Sequence, residues 1–134
     1  MKRTLFWLWA AFVVSVVIFK LYDAPFERIE YLKELRRMGF DNVNIQPFHT
    51  LGICFDNIES AWAVKNLLGN TLPFLILGII SRFTWREYNR TEVFLRVSSA
   101  IILFEIMQYI LLLGTCDVDD VILNIAFLKI GFVC

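Results

Sequence analysis

Four blocks of apolar residues limit what this chain can fold into more than any other feature. They run from Leu5 to Phe19, from Leu67 to about Ile80, from Val97 to Leu113 and from Asp120 to Cys134. Backbone N–H and C=O groups find no partner in hydrocarbon, so blocks of this kind enter a bilayer as α-helices. The expectation is an all-α integral membrane bundle of about four transmembrane helices forming one domain over 1–134. The spans are placed at about 4–22, 58–80, 97–113 and 120–134. Composition agrees, because 58% of the 134 residues are hydrophobic, against about 45–50% in a soluble domain. The 13 basic and 13 acidic residues cancel, leaving no global field that would attract nucleic acid.

The first block follows Lys2-Arg3, as a secretory signal peptide would, but Lys20, Leu21 and Tyr22 follow it in place of an A-x-A-like site. An uncleaved span is expected, with Lys20 snorkelling and Tyr22 at the headgroups. Residues 24–38 then form an amphipathic helix, with Asp23 as cap and Gly39 as stop. Ile29, Tyr31, Leu32, Leu35 and Met38 share one face and Glu27, Glu30, Lys33, Glu34 and Arg37 the other. That pattern lies in the interface rather than across it, and a helix packed on the bundle is the close alternative. Residues 41–57 are expected to be irregular, Pro73 to kink the second span, and 81–96 to be a short polar loop carrying Arg82, Arg86, Arg90 and Arg96. The fourth block measures only about 22 Å as a helix, against about 30 Å of hydrocarbon. Positive-inside counting over the short loop and Lys2-Arg3 puts both termini in the cytoplasm.

Polar residues inside the blocks carry the functional signal, because burying one in hydrocarbon costs at least a few kcal/mol unless it is paired. Measured from the block ends, Asn70, Gln108 and Asn124 each lie about 6–8 Å deep, and Glu105 and Lys129 about 12–13 Å. The two depths match on antiparallel helices, so a buried Glu105–Lys129 pair is favoured slightly over a functional Glu105. Above these layers stands Asp117-x-Asp119-Asp120. One aspartate serves as a helix cap, and three carboxylates exceed that need. Asp117, Asp119 and Asp120 are therefore candidate ligands for a divalent cation, or hydrogen-bonding groups for the polar part of a lipid or sugar. The three cysteines and the single His49 have no zinc spacing. A Cys54–Cys116 disulfide is left open.

Four stretches resemble the motifs of VanZ-like bacterial membrane proteins. Asn44-Ile-Gln-Pro47-Phe48-His-Thr50-Leu is similar to the family's N-L-I-P-F-x-T-I, and Asn66-Leu-Leu-Gly69-Asn70 with the following Phe74 and Gly78 to its N-x-x-G-N segment. Glu105-Ile-Met-Gln108 resembles E-x-x-Q, and Asp117-Val-Asp119-Asp120-Val-Ile-Leu-Asn124 resembles D-x-D-D-x-x-x-N. Phe127 stands where the family usually has a glycine, and Gly131 keeps the second one. The resemblance implies a multi-pass protein of the bacterial cell membrane. The namesake is associated with reduced susceptibility to teicoplanin, a glycopeptide that binds cell-wall precursors outside the membrane.

Three functions compete. The first is a non-enzymatic envelope protein that binds a lipid-linked cell-wall precursor or glycopeptide-type ligand in an outward polar pocket. Asn44, Asn70, Glu105, Gln108, Asp117, Asp119, Asp120 and Asn124 would build that pocket, in contact with membrane lipids. The second is a metal-assisted enzyme acting on a lipid headgroup, with Glu105 as proton-transfer residue. The third is a small proton-coupled transporter, which requires an oligomer because four short helices enclose little pathway. The first is preferred.

Overall fold

A computed structural model describes residues 2–19 and 25–134, with the side chains of 3–15 and 29–134. The roles expected of Lys20, Tyr22 and Asp23 lie outside the described residues. Among the described residues there are six helices: α1 (Lys2–Phe19), α2 (Pro25–Arg37), α3 (His49–Asp56), α4 (Ala61–Thr84), α5 (Arg90–Ile110) and α6 (Val118–Val133). Two short strands, β1 (Val43–Asn44) and β2 (Cys116–Asp117), pair in parallel, with Val43 opposite Cys116 and Asn44 opposite Asp117.

The bundle buries polar residues beside its apolar core and exposes large apolar ones. On α5, Ser98, Glu105 and Gln108 are buried, while Leu95, Ile102, Leu103, Ile106 and Met107 are exposed. An apolar exterior over a polar seam suits lipid and would be an aggregation hazard in water. Helices α4 and α5 are each long and apolar enough to cross a membrane. At 1.5 Å per residue they measure about 36 and about 31 Å, close to or above the hydrocarbon thickness. Helix α1 has 18 residues and α6 has 16.

Packing runs in the order α1, α4, α6, α5, with the α4–α6 pairing by far the most extensive. Lipid tails are as apolar as leucine, so close backbone approach has to supply what the hydrophobic effect does not. Two glycines provide it. A Cβ on Gly78 would sit 2.2 Å from the Leu128 carbonyl oxygen, and one on Gly131 would sit 1.9 Å from that of Leu75. Phe127, at the position usually held by glycine, does not prevent this approach; it packs half-buried against the core of Phe6, Val13, Phe74, Leu77, Ile101 and Leu128. Pro73 leaves α4 continuous, and the Trp9 indole N–H donates to its carbonyl at 3.2 Å, tying α1 to α4.

Two stretches expected to lack regular structure contain helix. The polar 81–96 segment contributes the end of α4 and the start of α5, and only 85–89 connects them. Asn89 caps α5 by accepting from the amides of Thr91 and Glu92, so Arg82, Arg90 and Arg96 ride on helix ends that extend past the apolar stretch, and Arg86 lies in the connection. Within 41–57, α3 forms eight residues of helix. The Arg3 guanidinium lies 5.1 Å from the Trp85 ring centroid and donates to the Tyr88 hydroxyl at 3.4 Å. Phe94 stacks on Phe132 with centroids 5.9 Å apart. The first and last helical residues and the arginine-bearing connection therefore share one end of the bundle. The two strands and α3 occupy the other.

Helix α2 is held against that second end. Leu32 is wholly buried, whereas Tyr31 and Met38 remain exposed, so its apolar face is divided between protein and surroundings. Arg36 donates from Nη2 to the Tyr109 carbonyl at 2.9 Å and from Nε to Asn42 Oδ1 at 2.9 Å, with its guanidinium 4.4 Å from the Tyr109 ring centroid. A cation at the C-terminus of α5 meets both the helix dipole and a carbonyl of the last turn.

Candidate functional site

The polar end is assembled by strand pairing and by side chains that reach across the sequence. Asn42 brackets the 114–116 turn: its amide donates to the Gly114 carbonyl at 2.7 Å, and its own carbonyl accepts from the Cys116 amide at 3.0 Å. This fixes β1 beside β2 and sets Asn44 against Asp117. Asn44 Nδ2 then donates to Asp117 Oδ1 at 3.1 Å, and the Thr50 hydroxyl donates to Asp117 Oδ2 at 2.5 Å. Asp117 also caps α6, accepting from the Asp119 amide at 2.9 Å.

Asp119 does something different. Its carboxylate, 1% exposed, accepts from the backbone amides of Phe48 at 2.6 Å and Leu51 at 3.0 Å. Phe48 occupies the N-cap of α3, has a left-handed backbone with φ 64° and offers no capping side chain. A helix start leaves its first amides unpaired, and a carboxylate there also meets the positive end of the helix dipole. The cap of α3 is thus supplied from α6. Asp120 faces another way and accepts from Asn70 Nδ2, which also donates to Asn66 Oδ1 at 3.2 Å. Asn66 in turn reaches the buried Cys54 Sγ at 3.6 Å.

Deeper in the bundle, Asn124 Nδ2 donates to Glu105 Oε1 at 2.9 Å, and both residues are buried. The other amide atom of Asn124, Oδ1, is buried with no hydrogen-bond partner among the described residues. Gln108 is buried beside this pair, one helical turn above Glu105. Burial raises the Cys116 thiol pKa above its ordinary value, and the negative charges of Glu105, Asp117 and Asp120 raise it further. One cysteine therefore registers three acids of the same end.

All eight sequence-predicted site residues come to this end, but they pair differently from the expectation. The Glu105–Lys129 pair is not formed. Helix α5 stops at Ile110, three residues short of the assumed end at Leu113, and α6 begins at Val118 rather than Asp120. From those ends Glu105 and Asn124 lie about 7–9 Å deep and Lys129 about 16 Å. Lys129 is exposed on the opposite side of α6 from Asn124. The early stop of α5 is a Schellman turn. Leu112, at φ 56°, takes the left-handed position, and Leu113 N and Leu112 N donate to the carbonyls of Gln108 and Tyr109.

The proposed cation ligands diverge. Asp117 turns to β1 and α3, Asp119 to the start of α3, and Asp120 to α4. Among the described residues no group of three His, Cys, Asp or Glu side chains is placed to hold a metal ion. The donor set therefore does not fit a resident divalent cation. Cys54 and Cys116 are both free thiols, so the disulfide left open by the sequence is not formed.

Sequence reasoning missed Asn42, Thr50, Asn66 and Arg36. Thr50 and Asn66 lie inside motif stretches and were legible as polar residues there, but their partners were not. Asn42 and Arg36 gave no signal, because each is an ordinary surface residue type in a polar segment. The residues that pair across the polar end belong to stretches far apart in the chain that were each singled out for family resemblance. The first and fourth meet at Asp117 and Asp119, the second and fourth at Asn70 and Asp120, and the third and fourth at Glu105 and Asn124. No curated protein and no solved structure matches the chain. The model of the family described as VanZ/LLP1 matches residues 6–134. A match over nearly the whole length places this membrane-associated chain in the VanZ/LLP1 family.

Proposed function

We propose that this is a non-enzymatic, multi-pass protein of the bacterial cell membrane that binds the polar part of a lipid-linked or glycopeptide-type ligand at its network end. In this reading α1, α4, α5 and α6 all cross the bilayer, both termini are cytoplasmic, and the network end faces outward. Glu105, Gln108 and Asn124 contact the ligand. Asn44, Asn70, Asp117, Asp119 and Asp120 hold the surrounding wall in place, each through the partners described above.

One observation carries the reading. Asn124 is wholly buried and spends its amide donor on Glu105, while its carbonyl oxygen is left without a partner among the described residues. An unsatisfied buried acceptor costs about 1–3 kcal/mol. A hydroxyl or amide N–H from a sugar or peptide is the natural complement, and it would gain that amount on binding. The divergence of Asp117, Asp119 and Asp120 weighs against the rival reading as a metal-assisted enzyme.

Expression in a teicoplanin-susceptible bacterium tests this. The wild-type chain is expected to lower susceptibility. Glu105→Gln preserves shape and still accepts from Asn124, but removes the charge beside the vacant acceptor. It is expected to abolish protection with little change in the thermal midpoint of the detergent-solubilised protein. Loss of one hydrogen bond to a charged group corresponds to about 1.5–3 kcal/mol, or tenfold or more in affinity. Protection by Glu105→Gln equal to wild type would refute the assignment, as would a fall in stability that accounts for the loss.

A further inference from the structure

At the end opposite the network, the row of helices does not close. A cavity of about 540 Å³ is walled by α1 and α5, with α4 as its floor. Phe6 and Val13 of α1, Leu77 of α4, and Val97 and Phe104 of α5 give it an apolar lining. Along α5 the lining runs from Val93 to Phe104, a length of about 16 Å. That equals one leaflet of a hydrocarbon core about 30 Å thick.

The mouth differs from the interior. Trp85 and Tyr88 stand there with Glu92 and Arg96, as amphipathic aromatics do at headgroup level. Arg3 lies over Trp85 and bonds Tyr88. Arg96 contacts Glu92 through Nη2 at 2.5 Å, with both side chains largely exposed, and a guanidinium keeps further donors for a second partner. The same end of the bundle carries Arg3, Arg82, Arg86, Arg90 and Arg96 against Glu87 and Glu92. The excess of positive charge selects the sign of the headgroup.

We infer that the groove between α1 and α5 is a binding site for one acyl chain of an anionic glycerophospholipid, its phosphate held at the mouth by Arg3 and Arg96. The lipid belongs to the leaflet on the arginine side. The site is separate from the network end and does not rest on the function proposed for it. A bound chain fills the lateral gap and completes the packing of α5, which otherwise leans chiefly on α6.

The test uses the full chain in phosphatidylcholine vesicles with Trp7, Trp9 and Trp62 replaced by phenylalanine, leaving Trp85 as the reporter at the mouth. Quenching of Trp85 by brominated phosphatidylglycerol is compared with quenching by brominated phosphatidylcholine. The expected preference for phosphatidylglycerol is about fivefold for each arginine engaged, and Arg3→Gln with Arg96→Gln removes it. Ala100→Phe, which fills the groove from α5, abolishes the selective component, and Ala10→Phe does the same from α1 should the first variant not fold. Equal quenching by both lipids means annular contact alone and overturns the site. Selectivity that survives both filling variants overturns it too, as does a Trp85 signal that depends on protein concentration, which would assign the groove to a second copy of the chain.

Discussion

Replacing Gly131 by leucine is expected to separate α4 from α6 and to remove the folded protein from detergent extracts. Even a single Cβ there would stand 1.9 Å from the Leu75 carbonyl oxygen and 2.9 Å from its carbon. Both contacts are to backbone, which cannot rotate away as a side chain can. Overpacking a tight contact typically costs about 1–3 kcal/mol and sometimes more. A leucine at the closest crossing of the most extensive helix pair belongs at or above the top of that range. The consequence reaches beyond the crossing, because Asp119, Asp120 and Asn124 ride on the same helix and lose their partners if it moves. Ala126→Leu, on the exposed side of α6, is the control and should leave the thermal midpoint unchanged. Equal stability of Gly131→Leu and wild type would show that the helices do not approach as described.

The second large effect belongs to Asp119→Ala. Two backbone amides, those of Phe48 and Leu51, lose a buried carboxylate at once. Hydrogen bonds to a charged acceptor are worth about 1.5–3 kcal/mol each, so a loss of about 3 kcal/mol or more is expected. The damage should be local before it is global. Helix α3 has only eight residues and no capping side chain of its own, and an isolated helix that short does not persist in water. Cys54 on α3 is fully buried and reports the release directly. In the wild type it should resist a thiol reagent under native conditions, whereas in Asp119→Ala it should react at a rate approaching that of the unfolded chain. Asp119→Asn keeps one acceptor oxygen and should fall between the two. Unchanged protection of Cys54 in Asp119→Ala would mean that α3 is held by something other than this cap.

These two residues mark where the sequence was readable and where it was not. Polar residues inside apolar blocks are conspicuous because hydrocarbon makes them costly, so Asn70, Glu105, Gln108 and Asn124 could be singled out without a structure. Their pairing could not, because depth was measured from the ends of the apolar blocks and not from the ends of the helices. Leu112 is the cause in α5. A left-handed residue that ends a helix is usually glycine, and a leucine there continues the apolar run past the true end. That error of three residues, together with one of two residues at the start of α6, made Lys129 the expected partner of Glu105 in place of Asn124.

Helix α3 was hidden for a related reason. The group that starts it lies 71 residues away in Asp119, while the local signals, Pro47 and Gly52, both read as breakers. The parallel pairing of β1 with β2 involves two residues on each strand, too few for any periodicity. The Asp117-x-Asp119-Asp120 cluster was legible as more acid than one cap requires. Its physical use is three separate attachments, to β1 and α3, to the start of α3, and to α4. Charge density alone does not distinguish that from a shared ligand.

Everything proposed for the network end requires it to face outward, and accessibility of introduced cysteines decides this directly. With Cys54, Cys116 and Cys134 replaced, single cysteines at Gln46, Thr115 and Glu87, all exposed, are treated in intact cells with a membrane-impermeant thiol reagent. Cysteines at 46 and 115 should be labelled, and the cysteine at 87 should be labelled only after the membrane is broken. Labelling of position 87 alone in intact cells would turn the network to the cytoplasm and end the proposal of an extracellular ligand.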